Sequence, residues 1–127
     1  MIYLNQNQVL KLHDKIINKF GGIHGIRNDA LLQSALANPL QTFAGLDLYP
    51  SVFDKAVQLC FGIIKNHPFL DGNKRLGLHL MLVLIHINGL KIDIAHDELT
   101  DIIFKVADGT FNRQDFSQVL KEKIKEG

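Results

Sequence analysis

Residues 67–87, HPFLDGNKRLGLHLMLVLIHI, decide the fold of this chain, because a polar turn is followed at once by a long apolar run. Pro68 blocks the continuation of a helix that reaches it from the N-terminal side. The run from Leu76 to Ile87 leaves no broad polar face, and a helix that is apolar nearly all round is a buried one. We therefore predict a helix from about Gly72 to Asn88 at the centre of the molecule.

Apolar residues at helical spacing predict further helices packed around the central one. These segments are residues 5–20, 28–36, 51–66, 97–107 and 112–125. Asn28 and Ser51 have side chains suited to N-caps, and the 40–50 connector can hold a small flap or hairpin. The alternating charges of 121–125 indicate a solvated helix face. The predicted fold class is all-α, a single compact helical bundle and one domain over residues 1–127.

The composition excludes several classes of protein. The chain has 127 residues, of which 46% are hydrophobic, so a globular fold is expected rather than disorder. The formal net charge of +1 gives no general reason to expect nucleic acid or a membrane surface as a partner. Cys60 is the single cysteine, which fits a reducing, cytoplasmic environment. The N-terminus has no pattern of a signal peptide, and no segment is apolar and long enough to predict a membrane span.

The polar turn carries two side chains with chemical potential. His67 is a candidate general base, because its ordinary pKa lies close enough to neutrality to take a proton from a hydroxyl group. Asp71 is a candidate ligand for Mg²⁺, since a hard cation prefers carboxylate and phosphate oxygens. The two together are typical of a site that transfers a phosphate group.

The first turn of the predicted central helix is suited to bind an anion. A helix begins with free backbone N–H groups and the positive end of its dipole, and here two cationic side chains are added. A glycine at the start lets the backbone approach a phosphate without a Cβ in the way. The residues assigned to this phosphate site are Gly72, Asn73, Lys74 and Arg75.

Each of these residues also has a purely structural interpretation. His67-Pro68 can stop a helix, the next residues can form a turn and an N-cap, and the two cations can be solvated. However, a helix that needs only stability places acids in its first turn, where the dipole favours them, and this one has Lys74 and Arg75. The combination therefore favours the functional interpretation.

The motif resembles that of a known family. Residues 67–75, HPFLDGNKR, are similar to the core motif of Fic-domain proteins, His-Pro-Phe-x-Asp/Glu-Gly-Asn-Gly/Lys-Arg. Lys74, where most Fic enzymes have Gly, resembles the death-on-curing (Doc) branch. Residues 21–27, GGIHGIR, and residues 31–36, LLQSAL, are similar to that branch as well. The resemblance covers essentially the whole chain.

The resemblance implies an all-α enzyme that uses ATP and Mg²⁺. Most Fic enzymes transfer AMP to a protein hydroxyl group, whereas Doc-type toxins transfer the γ-phosphate to elongation factor Tu and halt translation. By match, His67 is the base, Asp71 holds the metal, and residues 72–75 hold phosphates. The resemblance also implies a cognate antitoxin with a disordered segment that folds onto the toxin. The inhibitory pattern Ser/Thr-x-x-x-Glu-Gly/Asn is absent from this sequence, so we expect inhibition by another chain, in an apolar groove beside the motif.

Two departures from the larger Fic pattern favour phosphate transfer. Leu78 stands where AMP-transferring members usually have a second Arg, and Leu cannot hold a phosphate. Lys74 places a long side chain where Gly would leave room for the α-phosphate. We therefore predict a toxin kinase. An AMP transferase on the same scaffold and a non-catalytic module that recognises a phosphorylated partner remain the alternatives.

Four histidines and one arginine outside the motif are given other roles. His79 and His86 lie within the apolar run, which predicts hydrogen-bonded core histidines. The alternative for His79 is that it backs the site, because it lies four positions after Arg75 on the same helix face. His13 is predicted at the surface. His24 and Arg27 lie in a Gly-rich loop that can bring them to a substrate.

Overall fold

Two helices, rather than one, occupy the centre of the molecule. The computed structural model describes all of residues 1–127, and in it α3 (Val52–Asn66) packs along α4 (Asn73–Ile87). The prediction that α4 is buried is confirmed, but α3 buries its side chains to at least the same extent because its apolar residues spread over a wide face. α4 has 15 residues, and no helix of the chain combines the length and the apolarity needed to cross a membrane.

The other helices surround this pair and begin near the predicted residues. They are α1 (Gln6–Phe20), α2 (Asp29–Ala37), a 3-10 turn (Asn38–Leu40), α5 (His96–Ala107) and α6 (Arg113–Lys121). Asn28 and Ser51 are N-caps as predicted, because each side chain accepts a hydrogen bond from a backbone N–H in the first turn. Asn5 and Asn112 each form a complete capping box, in which the side chain of the third helical residue also accepts a hydrogen bond from the N–H of the cap.

The 40–50 connector contains the predicted flap in the form of a hairpin. β1 (Thr42–Phe43) pairs antiparallel with β2 (Leu46–Asp47). The buried Lys55 of α3 fixes the base of the hairpin, since its Nζ donates to Asp47 Oδ2 at 3.1 Å and to the carbonyl of Tyr49. The tip is exposed and apolar at Phe43 and Leu46.

The C-terminal segment corrects the prediction of a purely α-helical fold. α6 ends at Lys121 instead of 125, and β4 (Ile124–Glu126) pairs antiparallel with β3 (Leu90–Ile92). The charges of 121–125 therefore do not share one helix face: Lys121 ends α6, and Lys125 lies in the strand with its Nζ 3.0 Å from Asp93 Oδ2. The strand forms because it satisfies the backbone groups of β3 and lets Ile124 pack against the core.

The close contact between the central helices generates a test of the fold. A Cβ added at Gly77 of α4 would lie 3.1 Å from the carbonyl oxygen of Cys60 in α3, which is held within its helix. Gly77→Ala is therefore expected to lower the free energy of unfolding by about 1–3 kcal/mol despite the better helix propensity of Ala. Urea unfolding measures this change.

Gly62 of α3 provides the matched control, because a Cβ there would meet Ala35 at an ordinary 3.6 Å. Gly62→Ala is expected to leave stability unchanged or to raise it by up to about 1 kcal/mol. Equal destabilisation by both variants would contradict the account of helix packing.

Candidate functional site

His67 lies at the end of α3 in a backbone conformation that is uncommon for its type. Its φ of 48° and ψ of 56° are left-handed, and the following Pro68 disfavours the right-handed helical alternative. Two hydrogen bonds from the guanidinium of Arg27 support this turn, from Nε to the carbonyl of His67 at 2.6 Å and from Nη2 to the carbonyl of Asn66 at 2.7 Å. The His67 side chain remains exposed to solvent. The turn therefore presents the imidazole at the surface on a fixed backbone.

The Gly-rich loop 21–28 is joined to the motif by backbone hydrogen bonds. Ile26 forms an isolated antiparallel bridge with Phe69, and the carbonyl of Pro68 accepts from the N–H groups of Arg27 at 2.7 Å and Asn28 at 3.0 Å. Arg27 therefore affects the site by holding the backbone of His67 in place. His24, the other loop residue considered, contacts Asp14 and Asn18 on α1.

Asn73, at the start of α4, holds the turn from inside. Its buried amide accepts from the N–H of Phe69 at 3.1 Å and donates to the carbonyl of Phe69 at 3.0 Å. These two bonds fix the amide so that Nδ2 also faces Nδ1 of His67 at 3.2 Å. Nδ1 is then an acceptor, and the neutral ring carries its proton on Nε2. His67 can accept a proton at Nε2 once that proton has moved to Nδ1, which breaks the contact with Asn73.

Asp71 is oriented by the backbone but keeps its carboxylate accessible. Oδ1 accepts from the N–H of Gly72 at 2.9 Å and Oδ2 from the N–H of Ile23 at 3.2 Å. A Cβ at Gly22 would lie 2.7 Å from Oδ2, so this position requires glycine for space as well as for its φ of 119°. No three His, Cys, Asp or Glu side chains converge on a common point. Asp71 fits a cation such as Mg²⁺ that takes one carboxylate and completes its shell with phosphate oxygens and water.

His13 was wrongly predicted at the surface. It is 1% exposed, stacks on Phe69 with ring centroids 3.8 Å apart, and places Nε2 2.8 Å from the carbonyl oxygen of Asp71. The signal for burial was present in the sequence, since His13 lies at helical spacing between Val9 and Ile16 on the buried face of α1. His13 thus supports the backbone on which the Asp71 carboxylate depends.

The N-terminus of α4 has the predicted properties of an anion site. Gly72 precedes it with a φ of 78°, and no side chain caps it. The backbone N–H groups of Asn73, Lys74 and Arg75 have no acceptor within the protein. The side chains of Lys74 and Arg75 are exposed and lie over the rings of Phe104 and Phe20, at 6.0 and 3.8 Å from the ring centroids. Residues 73–75 therefore direct N–H groups and positive charge to one place.

A cleft of about 440 Å³ between α1, α4 and α5 opens from this helix terminus. Beyond residues 71–75, its lining includes Phe20, Leu78, His79, His96, Thr100 and Phe104. The groove predicted beside the motif is therefore present, but it is partly cationic. His67 does not line it.

Two histidines predicted in the core lie outside it. His79 is half-buried, lines the cleft and has no hydrogen-bond partner, and His86 is exposed. The pKa of His79 is lowered, first by burial and then by the charges of Arg75, His96 and Lys19. The prediction was wrong because one strip of α4 faces the cleft and solvent, so the apolar run is not buried on every side.

Comparison with known proteins agrees with the motif. The model of the Fic/DOC family matches residues 3–85. The chain is 38% identical over 90 residues to "Toxin Doc" of Mycolicibacterium smegmatis, covering 69% of each chain. It is 23% identical over 121 residues to "Protein kinase doc" of Escherichia phage P1, covering 95% of this chain and 94% of the phage protein.

The contacts of Arg27 generate a prediction for the His67 turn. Arg27→Ala removes both hydrogen bonds to the carbonyls of Asn66 and His67, so amide hydrogen exchange in residues 66–70 should become faster. Arg27→Lys should restore this protection only in part, because a single ammonium group cannot reproduce the planar fork. Global stability should fall by no more than about 1 kcal/mol, since these bonds are exposed.

Arg113→Ala is the matched control for that experiment. Arg113 also makes a long-range guanidinium contact, from Nε to Gln58 Oε1 at 2.7 Å, but on α6. It should leave exchange in residues 66–70 unchanged. Exchange that is equally fast in both variants, or unchanged in Arg27→Ala, would show that Arg27 does not hold the turn.

Proposed function

The chain belongs to the Fic/DOC family, and from this premise we propose that it is the toxin of a type II toxin–antitoxin system. In this proposal it transfers the γ-phosphate of ATP to a hydroxyl group of a protein, with elongation factor Tu as the target, and so blocks translation. The names of the two relatives, a toxin and a protein kinase, support the proposal without extending to the target.

The observation that carries the proposal is the position of the anion site between His67 and the cleft. Asn73 contacts the His67 ring through its side chain, and residues 72–75 line the cleft. In phosphate transfer the attacking and leaving oxygens lie roughly in line across the phosphorus. The arrangement suits a hydroxyl group entering beside His67 and a leaving group departing into the cleft.

In the proposed step, the hydroxyl oxygen bonds to the γ-phosphorus as the bond from that phosphorus to the β–γ bridging oxygen breaks. His67 takes the hydroxyl proton, and ADP leaves. The free N–H groups of residues 73–75, with Lys74 and Arg75, stabilise the charge on the transferred group. Asp71 would hold Mg²⁺, which when bound neutralises charge on the phosphate oxygens.

The lining of the cleft favours phosphate over AMP as the transferred group. The leaving group of a kinase is a nucleoside diphosphate, whereas that of an AMP transferase is pyrophosphate. Phe20 and Phe104, whose rings lie under Arg75 and Lys74, add partly exposed aromatic surface suited to a nucleoside. The buried Leu78 offers no charge for a phosphate. When the cleft holds the nucleoside of ATP, the terminal phosphate of the same molecule lies at the N-terminus of α4.

The same cleft is the proposed site of inhibition. Phe20 and Phe104 form an exposed apolar rim beside the anion site, as a groove for an amphipathic helix requires. We propose that the cognate antitoxin folds a segment onto this rim and blocks access to the anion site.

Intact-mass analysis of elongation factor Tu, incubated with this protein, ATP and Mg²⁺, tests the chemistry. One phosphate should be added, and His67→Ala should slow the addition at least about a hundredfold, because no group remains to accept the proton. His86→Ala, which changes an exposed histidine outside the cleft, should react like the wild type. Addition of AMP would replace the kinase proposal with the AMP transferase, and activity that survives in His67→Ala would remove His67 as the base.

The metal role of Asp71 has its own test. Asp71→Asn keeps an acceptor for the backbone but loses the negative charge that a hard cation needs. The variant should stay folded, losing about 1 kcal/mol at most, while Mg²⁺-dependent transfer falls at least about a hundredfold. A Mg²⁺ titration of the transfer rate measures this.

Asp14→Asn, an exposed carboxylate on α1 paired with His24, is the control and should leave the titration unchanged. A wild-type Mg²⁺ titration in Asp71→Asn would show that this carboxylate is not the ligand.

A further inference from the structure

A second group of basic side chains lies in the cleft beyond the helix terminus. Arg75 and His79 come from α4, His96 from α5, and Lys19 from α1 lies close enough to affect the His79 charge. None of the four is in an ion pair. The single carboxylate in the cleft lining is that of Asp71, at the end beside the helix terminus. The wall formed by Arg75, His79 and His96, here called the histidine wall, therefore has no ion-pair partner within the protein.

We propose that the histidine wall binds the two phosphates that stay with the nucleoside, so that the cleft is a nucleoside diphosphate site whose occupation protonates His79. The inference rests on the proposed function and deepens it, because it assigns the leaving group a place and adds His79 and His96, which lie outside the motif, to Arg75 as its partners.

The spacing along α4 suits a chain of linked phosphates. Arg75 and His79 are one turn apart on the same face, about 6 Å along the axis at 1.5 Å per residue. A polyphosphate anchored at the free N–H groups of residues 73–75 thus meets Arg75 and then His79. Phe20 and Phe104 flank this path, and the cleft volume of about 440 Å³ lies within the range of small-molecule sites.

The environment of His79 couples its charge to the ligand. Burial and the neighbouring charges of Arg75, His96 and Lys19 lower its pKa, so the free protein holds the ring neutral near pH 7. A diphosphate between these groups supplies the missing negative charge and raises the pKa of His79. Binding therefore takes up a proton, and affinity should increase as the pH falls through the range between the free and bound pKa values.

Calorimetric titration of the full chain with ADP measures both effects. Experiments at about pH 8 and about pH 6, in buffers of different ionisation enthalpy, give affinity and proton uptake. His79→Gln should weaken ADP binding about tenfold at the lower pH and less at the higher, with a matching loss of proton uptake, because a charge-assisted hydrogen bond is lost. Since ADP itself gains a proton in this range, the wild-type minus variant difference is the measured quantity.

Two comparisons make the result specific. His86→Gln, on the same helix but outside the cleft, should bind ADP as the wild type does. Inorganic pyrophosphate should show the same dependence on His79 with lower overall affinity, because it contacts the histidine wall and not the aromatic rings.

The outcomes separate this inference from the proposed function. ADP binding with His79-dependent proton uptake, in a protein that transfers no phosphate, would support the diphosphate site and reject the kinase. Phosphate transfer together with unchanged ADP binding and proton uptake in His79→Gln would overturn the diphosphate site alone. Unchanged ADP binding with weaker antitoxin binding in His79→Gln would overturn it too and assign the wall to the protein partner.

Discussion

The structure depends on one buried amide, that of Asn73. A buried amide must find partners for its oxygen and its N–H groups, since an unsatisfied one costs about 1–3 kcal/mol. Here both Phe69 backbone groups and the His67 ring provide those partners. The amide therefore fixes how the chain turns between α3, which Pro68 ends, and the start of α4. Because α3 and α4 form the centre of the core, the same three contacts that hold the candidate base also hold the turn that joins the two central helices.

The first turn of α4 opposes the rule for stable helices. It has two cations and no acid near the positive end of the dipole, and no capping side chain. The helix persists because its remaining length is packed against α3, with Leu76, Leu80 and Leu84 essentially inaccessible to solvent. Departures from the rules for stable helices are expected at functional sites, where the residues serve binding rather than folding. The core thus stabilises a helix terminus that an anion would stabilise further.

The sequence predicted the six helices and their starts well, because apolar spacing and N-caps are local signals. The sequence-based predictions were wrong or incomplete where segments that are distant in the sequence come into contact. Residues 124–126 form a strand only because β3 is beside them, and Arg27 reaches the carbonyl of His67 across 40 positions of sequence. His79 was misplaced because hydropathy cannot show which strip of a buried helix borders a cleft. The motif residues were brought together as expected. Of their supports, His13 could have been recognised from its spacing on α1, whereas the contact of Arg27 with His67 depends on the fold.

The contacts of Arg27 and His13 explain how a solvent-exposed site can keep a fixed geometry. His67 and Asp71 lie on an irregular turn that exposes both side chains, and such turns are usually mobile. In this protein the backbone of the turn is held on one side by Arg27 and loop 21–28, and on the other by His13 and Asn73. The side chains of His67 and Asp71 stay accessible to solvent while their backbones are held in place. His67 is exposed and does not line the cleft, so in the proposed reaction a protein target can approach the imidazole from solvent without entering the nucleotide site.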